Sequence, residues 1–270
     1  MLDGLAGRIG RYVLISSGDV YRNYGGLTRH EDAVPEDWPL TEEAPRRRSR
    51  FPYRGATLRA RSDPDHVLDD YDKIPIEATV AAQAAFDWTI LRLPMTFGPG
   101  DRQRRFGWII WRLHDGRTIL PLDRRVAGWR GTHGFVDDVA DGIALAACHP
   151  DAARQTFNLG MAETPTQAEW ATRMARAMGR EVRVVEVDPA PGAILRELAD
   201  RLDTRFPLRL DTRRIRDRLG FAEIAPVEEA LRRTLEDELA RGRPAGLEEA
   251  YRAEDHLLQR PRAQMPCNRS

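Results

Sequence analysis

Short apolar runs alternate with longer polar stretches along the chain. Arg11-Tyr-Val-Leu-Ile-Ser-Ser17 is a continuous aromatic, β-branched and aliphatic run stopped by Gly18-Asp19, which predicts a short buried strand. Trp88-Thr-Ile-Leu-Arg-Leu93 predicts a second, followed by the turn-forming Phe97-Gly-Pro-Gly-Asp101. Between them a helix is expected from near Pro75 through Ala85, because proline is tolerated only in a first turn, where its missing N–H has no partner to lose. Strand, helix, strand is the grammar of a parallel sheet.

Further along, Asp137 to Ala147 reads as a helix with acidic residues in its first turn. Thr156 to Gly160 reads as a strand, and Thr166 to Met178 as an amphipathic helix ended by Gly179. Glu181 to Val187, with Val182, Val184 and Val187 among charged neighbours, predicts a half-exposed strand. Helices are expected at about 194–202, 212–219 and 227–241. The last thirty residues, charged and punctuated by proline, read as a poorly ordered tail with room for one short helix. From Tyr21 to about Asp70 the chain is irregular, rich in Pro, Gly, Asp and Arg, and a loop of that length is usually functional or mobile. Its run Arg46-Arg47-Arg48-Ser49-Arg50 is expected to be a solvated face. Along the chain a sheet-containing region over 1–160 is followed by a region over 161–241 and a tail over 242–270.

Composition narrows the class. The 270 residues carry 42 basic and 42 acidic side chains, so no polyanion-binding surface is spread over the chain, and nucleic acid is not an expected partner. The apolar runs fall well short of the ~20 residues of a membrane span. Cys148 and Cys267 are too far apart in sequence to suggest a disulfide framework or metal knuckle, so a cytoplasmic, metal-free protein is expected. All the basic residues except Lys73 are arginine, which suggests that this position needs the point charge of an ammonium.

The motifs give Lys73 a setting. Ser16-Ser17-Gly18-Asp19-Val20-Tyr21 follows a strand, and Lys73-x-x-x-Glu77 opens a helix. Leu91 to Asp101, Val136-Asp-Asp-Val-Ala140 and Phe157-Asn-Leu-Gly160 complete the series. In order and spacing these resemble the extended and atypical short-chain dehydrogenase/reductases, the NAD(P)-dependent epimerases and dehydratases, over about residues 11–240. The resemblance implies an α/β fold, a partial Rossmann-type doubly wound parallel sheet with a small α/β substrate-capping region. It also implies that 161–241, with a contribution from about 100–130, is a substrate cap on part of a dinucleotide-binding domain. It implies oxidoreduction, with NAD or NADP, of a hydroxyl on a nucleotide sugar or similar small molecule. Ser17 would orient the substrate hydroxyl, Tyr71 would remove its proton, and Lys73 would lower the tyrosine pKa and hold the cofactor ribose. Ser16, Pro94 and Met95 would join Lys73 at the cofactor, with Pro94 and Met95 flanking the nicotinamide. Asp19, Tyr21, Arg105 and Arg130 would face the substrate, the arginines as basic groups for a diphosphate.

Several positions depart from that pattern. Four residues before Lys73, where the family has its tyrosine, stands Asp69, and the nearest tyrosine is Tyr71. Residues two apart on a helix face different ways. Pro75, however, disfavours helical geometry just before it and places Tyr71 at or before the helix start, free to swing towards Ser17. The alternative is a Tyr71 packed on the loop, leaving a site without its acid/base group. Met95 lies near where an asparagine is often found. Gly4-x-x-Gly7-x-x-Gly10 imitates a dinucleotide fingerprint but has no strand before it and a strand after it. The chain is therefore expected to lack the family's adenosine-binding half, and binding of the cofactor by this chain is in doubt. An exposed sheet edge and a tendency to homo-oligomerise are expected as well. A non-catalytic nucleotide- or protein-binding remnant is the competing reading. His133 could line the cleft, while Phe106, Trp108 and Trp111 are expected to be core or cap packing.

Overall fold

The computed structural model describes residues 2–36 and 39–259. In chain order its elements are β1 (Arg11–Ser17), α1 (Arg22–Leu27), α2 (Lys73–Ala81), β2 (Asp87–Leu93), β3 (Met95–Phe97), α3 (Gly107–His114), β4 (Ile119–Asp123) and α4 (Arg124–Ala127). They continue with β5 (His133–Phe135), α5 (Val136–Cys148), β6 (Gln155–Asn158), α6 (Gln167–Ala177), β7 (Arg183–Val187), α7 (Arg196–Arg201), α8 (Arg213–Leu219), α9 (Val227–Ala240) and α10 (Leu247–Gln259). Among the described residues no helix is long and apolar enough to cross a membrane.

All the strand pairs are parallel, as the strand–helix–strand pattern requires. β2 is central, pairing with β1 on one side and β6 on the other, in a register that sets Ser17 opposite Leu93 and Arg92 opposite Asn158. One face of this sheet packs Leu91 and Phe157 against Val139 and Ala146 of α5. The other packs Leu14 and Ile90 against Val80 of α2. Helices on both faces of a parallel sheet make the doubly wound α/β layering that was expected. Two further parallel pairs, β3–β5 and β4–β7, carry the chain from this sheet into the helices α3, α6 and α9. Among the described residues β1 pairs only with β2, and Ile15 near its end is 37% exposed.

Three expectations change. The irregular stretch after Tyr21 contains α1 and a short turn of 3-10 helix at His66–Asp69. Its arginine run is not simply a solvated face, because Arg47 is buried and hydrogen-bonded inside the protein. Near the chain's end, α10 docks through Leu247 and Tyr251 against Trp111, and Glu254 accepts from Arg112. A thirteen-residue amphipathic helix thus stands where a poorly ordered tail with room for one short helix was expected. The remainder of that segment, with Cys267, lies outside the described residues.

A buried ionic network clamps the sheet to α2. Glu77 holds Arg92 at 3.0 and 2.8 Å through both carboxylate oxygens and accepts the Ser16 hydroxyl at 2.6 Å. Arg92 in turn donates to the Tyr21 hydroxyl at 2.9 Å, and Tyr21 donates to Asn158 Oδ1 at 2.6 Å. Neither Arg92 nor Glu77 reaches solvent, so each charge depends on the other for what water would have supplied.

Candidate active site

The site starts where β1 ends. Ser17 leaves the strand in extended conformation and caps a turn of 3-10 helix, its hydroxyl oxygen accepting from Asp19 N at 3.2 Å. Asp19 is thereby turned into the protein, where its Oδ2 accepts from the Tyr53 hydroxyl at 3.0 Å. Its Oδ1 is buried and has no hydrogen-bond partner. Burial pushes the Asp19 pKa up, against the opposing effects of Tyr53 and Arg47.

Arg47 joins this turn to α2. Its Nε donates to the Asp19 carbonyl at 2.8 Å, and its Nη2 donates to Asp72 Oδ1 at 2.6 Å. Asp72 is the N-cap of α2, accepting from Ile74 N, and stands between Tyr71 and Lys73. Because the helix begins at Lys73, Tyr71 lies ahead of it, although Ile74, which Pro75 was expected to keep out of helical geometry, is helical and the start is set by the Asp72 cap. The Tyr71 ring meets Tyr53 edge-on at 5.2 Å, and Tyr53 meets Tyr24 at 6.0 Å. The Tyr71 hydroxyl interacts with Ser17 and Asp19, and Lys73 Nζ lies 5.3 Å from the Tyr71 ring centroid.

The protonation of Tyr71 runs opposite to the expectation that Lys73 would lower its pKa. Burial first, and the Asp19 carboxylate second, push it above its ordinary value, with Ser17 acting weakly the other way. A buried phenolate beside a carboxylate is disfavoured twice over, so Tyr71 is a proton-bearing donor at neutral pH. Burial likewise pushes Tyr24 up to about 12.

Pro94, Met95, Thr132 and His133 form the facing wall, held by the β3–β5 pair in which Met95 lies opposite His133. The wall is dense enough that a Cβ on Gly134 would lie 2.8 Å from Pro94 Cγ, so the backbone approach requires glycine there. His133 Nδ1 is 2.9 Å from the Gly131 carbonyl, which can only accept, so this nitrogen carries the proton. The imidazole stacks on Phe106, and burial, with Arg105 adding to it, pushes its pKa down to about 4. It is a neutral ring at physiological pH.

A cavity of about 510 Å³ unites Ser17, Asp19, Pro94, Met95 and Arg105 from the expected set, with Tyr53 and His133 beside them. Tyr71 and Lys73 stand next to it, behind Ser17 and Asp19, rather than among its lining side chains. Three expected residues are elsewhere. Tyr21 is fully buried, its hydroxyl held by Asn158 and Arg92. The Ser16 hydroxyl is taken by Glu77, so its side chain does not face a ligand. Arg130 turns to Glu169 and the Thr164 carbonyl. Asp69, standing at the family's tyrosine position, is buried in an ion pair with Arg59. Trp108 lines the cavity, whereas Trp111 donates to Glu238 at 2.7 Å in the packing of α3 on α9. Sequence reasoning did not find Tyr24, Tyr53 or the role of Arg47. They lie in or beside the aperiodic segment, where no pattern marks which side chains turn inward.

A nicotinamide dinucleotide fits this frame at one end. Ser17, Pro94 and Met95 share the cavity, and Lys73 lies against Tyr71 outside its lining. The glycines Gly4, Gly7 and Gly10 have open space where a Cβ would stand; Gly4 lies within a 3-10 turn at Leu2–Leu5 and Gly7 and Gly10 follow it. They do not form the strand-to-helix cradle that a pyrophosphate needs.

Residues 72–160 match the model of the NAD dependent epimerase/dehydratase family. The matched segment carries Lys73, Glu77, Pro94, Met95 and His133. No curated protein matches the chain. Among solved structures, RMD from Pseudomonas aeruginosa complexed with NADPH aligns at 20% identity and a TM-score of 0.59, over 89% of this chain and 71% of that one. UDP-glucose 4-epimerase from Thermotoga maritima with UDP-glucose aligns at 19% identity and 0.56, over 86% of this chain and 64% of that one. UDP-glucuronic acid 4-epimerase from Bacillus cereus, with UDP-glucuronic acid and NAD, aligns at 12% identity and 0.59, over 89% and 65%. The chain thus shares their Rossmann-like fold while spanning about two thirds of the length of each.

Proposed function

We propose that this chain supplies the reaction end of an NAD- or NADP-linked oxidoreductase of the epimerase/dehydratase type, acting at a hydroxyl-bearing carbon of a small molecule. The observation that carries this reading is the convergence of Ser17, Pro94 and Met95 on one cavity, with the Lys73 ammonium 5.3 Å from the centroid of the neighbouring Tyr71 ring. The chemistry a bound nicotinamide supplies is reversible hydride acceptance. Pro94 and Met95 would flank it and Lys73 would hold its ribose. Ser17, whose hydroxyl accepts from Asp19 N and interacts with Asp19 and Tyr71, would orient the substrate oxygen. Tyr71, kept protonated by burial and Asp19, stands behind Ser17 as the proton reserve for that oxygen.

Nucleotide sugars are named for several of the neighbours, but the arginines expected to meet a diphosphate are engaged. Arg105 donates to Asp101 and to the Thr96 carbonyl, and Arg130 to Glu169. The reading therefore rests on hydroxyl chemistry rather than on a diphosphate. A non-catalytic binding role draws support from Asp69 at the tyrosine position and from the missing glycine cradle. Titration of the chain with NADH and NADPH, followed by fluorescence, separates the readings when run beside Lys73→Ala. Saturable binding that the variant loses is the expected result, and no binding up to millimolar cofactor would overturn the proposal.

A further inference from the structure

Two polar side chains of the cavity wall have hydrogen-bonding capacity that the protein leaves unused. Gln167, the first residue of α6, is 8% exposed and lines the cavity, and its carboxamide makes no hydrogen bond among the described residues. His133, 3% exposed, spends its Nδ1 proton on the Gly131 carbonyl, which leaves Nε2 as an acceptor with no donor to it among the described residues. Polar side-chain atoms closed off without a partner do occur in this protein, as at Trp88 and Trp170, but these two groups are not among them and so open onto the cavity they line.

The two side chains are neighbours, and both are held. Gln167 and Trp170 are three residues apart and share a face of α6, and the Trp170 ring meets His133 edge-on with centroids 5.1 Å apart. Phe106 stacks on the same imidazole at 5.7 Å. Thr166, just before Gln167, caps α6 and bridges Arg130, which fixes where the helix begins. Strand register sets Ser17 opposite Leu93 but His133 opposite Met95, so this pair is a separate point of contact from the Ser17 hydroxyl.

We propose that His133 and Gln167 determine substrate specificity by holding an uncharged group that donates and accepts hydrogen bonds at once, a carboxamide or hydroxyl carried away from the reacting carbon. Nε2 of His133 calls for a donor, and the amide hydrogens of Gln167 call for an acceptor. A ketone or ether oxygen would satisfy Gln167 alone and leave Nε2 bare. A carboxylate would set its lone pairs against that of Nε2 after giving up its water, and Arg105, the guanidinium whose charge reaches His133, is already paired with Asp101. The inference deepens the proposed site and rests on that reading for the reaction, but the recognition itself requires no cofactor.

The test is saturation-transfer NMR of the full chain at pH 8, without nucleotide, titrated with benzamide, benzyl alcohol, acetophenone and benzoate, which are alike in size and differ at one group. Benzamide or benzyl alcohol should bind about fivefold more tightly than acetophenone and benzoate, the worth of one neutral hydrogen bond, and the tighter of the two names the group. Gln167→Met, which keeps the length and removes the amide, should weaken that probe about fivefold. His133→Phe keeps the ring and removes the acceptor, so acetophenone should come within twofold of it. Wild-type binding of acetophenone or benzoate as tight as both donor–acceptor probes, or no saturation by either of these, would overturn the proposal. So would a wild-type ranking that survives unchanged in both variants. None of these results bears on the NADH titration with Lys73→Ala, so the two proposals fail separately.

Discussion

Arg47 donates to Asp72 at 2.6 Å with both side chains shut away from solvent, and so couples the turn after β1 to the first turn of α2. The same guanidinium holds the Asp19 carbonyl, so the Ser17 side and the Lys73 side of the site share one strut. Arg47→Ala leaves Asp72 only the more exposed Arg50, and breaking a buried pair in this way costs up to about 3–5 kcal/mol. Urea unfolding should show that loss in ΔG with an unchanged m-value. A loss below 1 kcal/mol would mean that Arg50, which also holds Asp72, carries the contact alone.

The same pair has a pH signature. Burial works against the Asp72 charge, but hydrogen bonds from Arg50 and Arg47 outweigh it and hold the carboxyl below its ordinary value of 3.8. A depressed pKa contributes stability that is present above the unfolded value and is lost as pH falls through the folded one. Wild-type stability should therefore drop below about pH 4, and Arg47→Ala should lose part of that dependence. Chemical unfolding at stepped pH reads both.

His133 acts in a neighbouring window. Its folded pKa of about 4 lies below the ordinary 6.5, so between those values the unfolded chain binds more protons than the folded one. Stability is complete above pH 6.5 and declines as pH falls towards 4, by about 3 kcal/mol in all. His133→Phe keeps the ring packing on Phe106 and should flatten this part of the profile. An unchanged slope in that variant would assign the titration to another group.

Glu77 is expected to matter for stability ahead of catalysis. Glu77→Ala leaves Arg92 buried without its carboxylate and should cost about 3–5 kcal/mol, while also freeing the Ser16 hydroxyl. Glu77→Gln keeps the shape and should cost less. Equal losses in the two variants would mean that packing, not charge, dominates there.

For the reaction itself, Tyr71→Phe removes the hydroxyl while keeping the ring against Tyr53. Turnover of a hydroxyl substrate should fall by about 10²–10⁴-fold, the range for losing a positioned acid or base. The melting temperature should move little. Because the Tyr71 pKa lies above its ordinary value, the wild-type rate should show no tyrosine titration between pH 6 and 9.

How much of this could be read from the chain varies with distance along it. β1, β2, α5 and α6 fall close to where apolar runs and caps placed them, because a strand or helix is decided by neighbours within a few residues. Lys73 at the head of a helix, and the family segment around it, were legible for the same reason. The end of α2 at Ala81, short of Ala85, was not, since helix ends are set by weak local preferences.

Tertiary structure alone decided which side chains meet. Tyr21 belongs to a motif yet turns into the core, because Arg92, facing inward from the central strand, needs its hydroxyl. Tyr53 and Arg47 sit in a stretch without periodicity and still reach Asp19, because the fold brings that stretch back across the end of β1. Local pattern reports whether a position is apolar and on which side of its element it lies. Whether a buried charge finds a partner, and whether a phenol is pushed towards or away from ionisation, depends on residues dozens of positions away. Only the folded chain brings them within hydrogen-bonding distance, and only there does the loss of water make those contacts strong enough to set the chemistry.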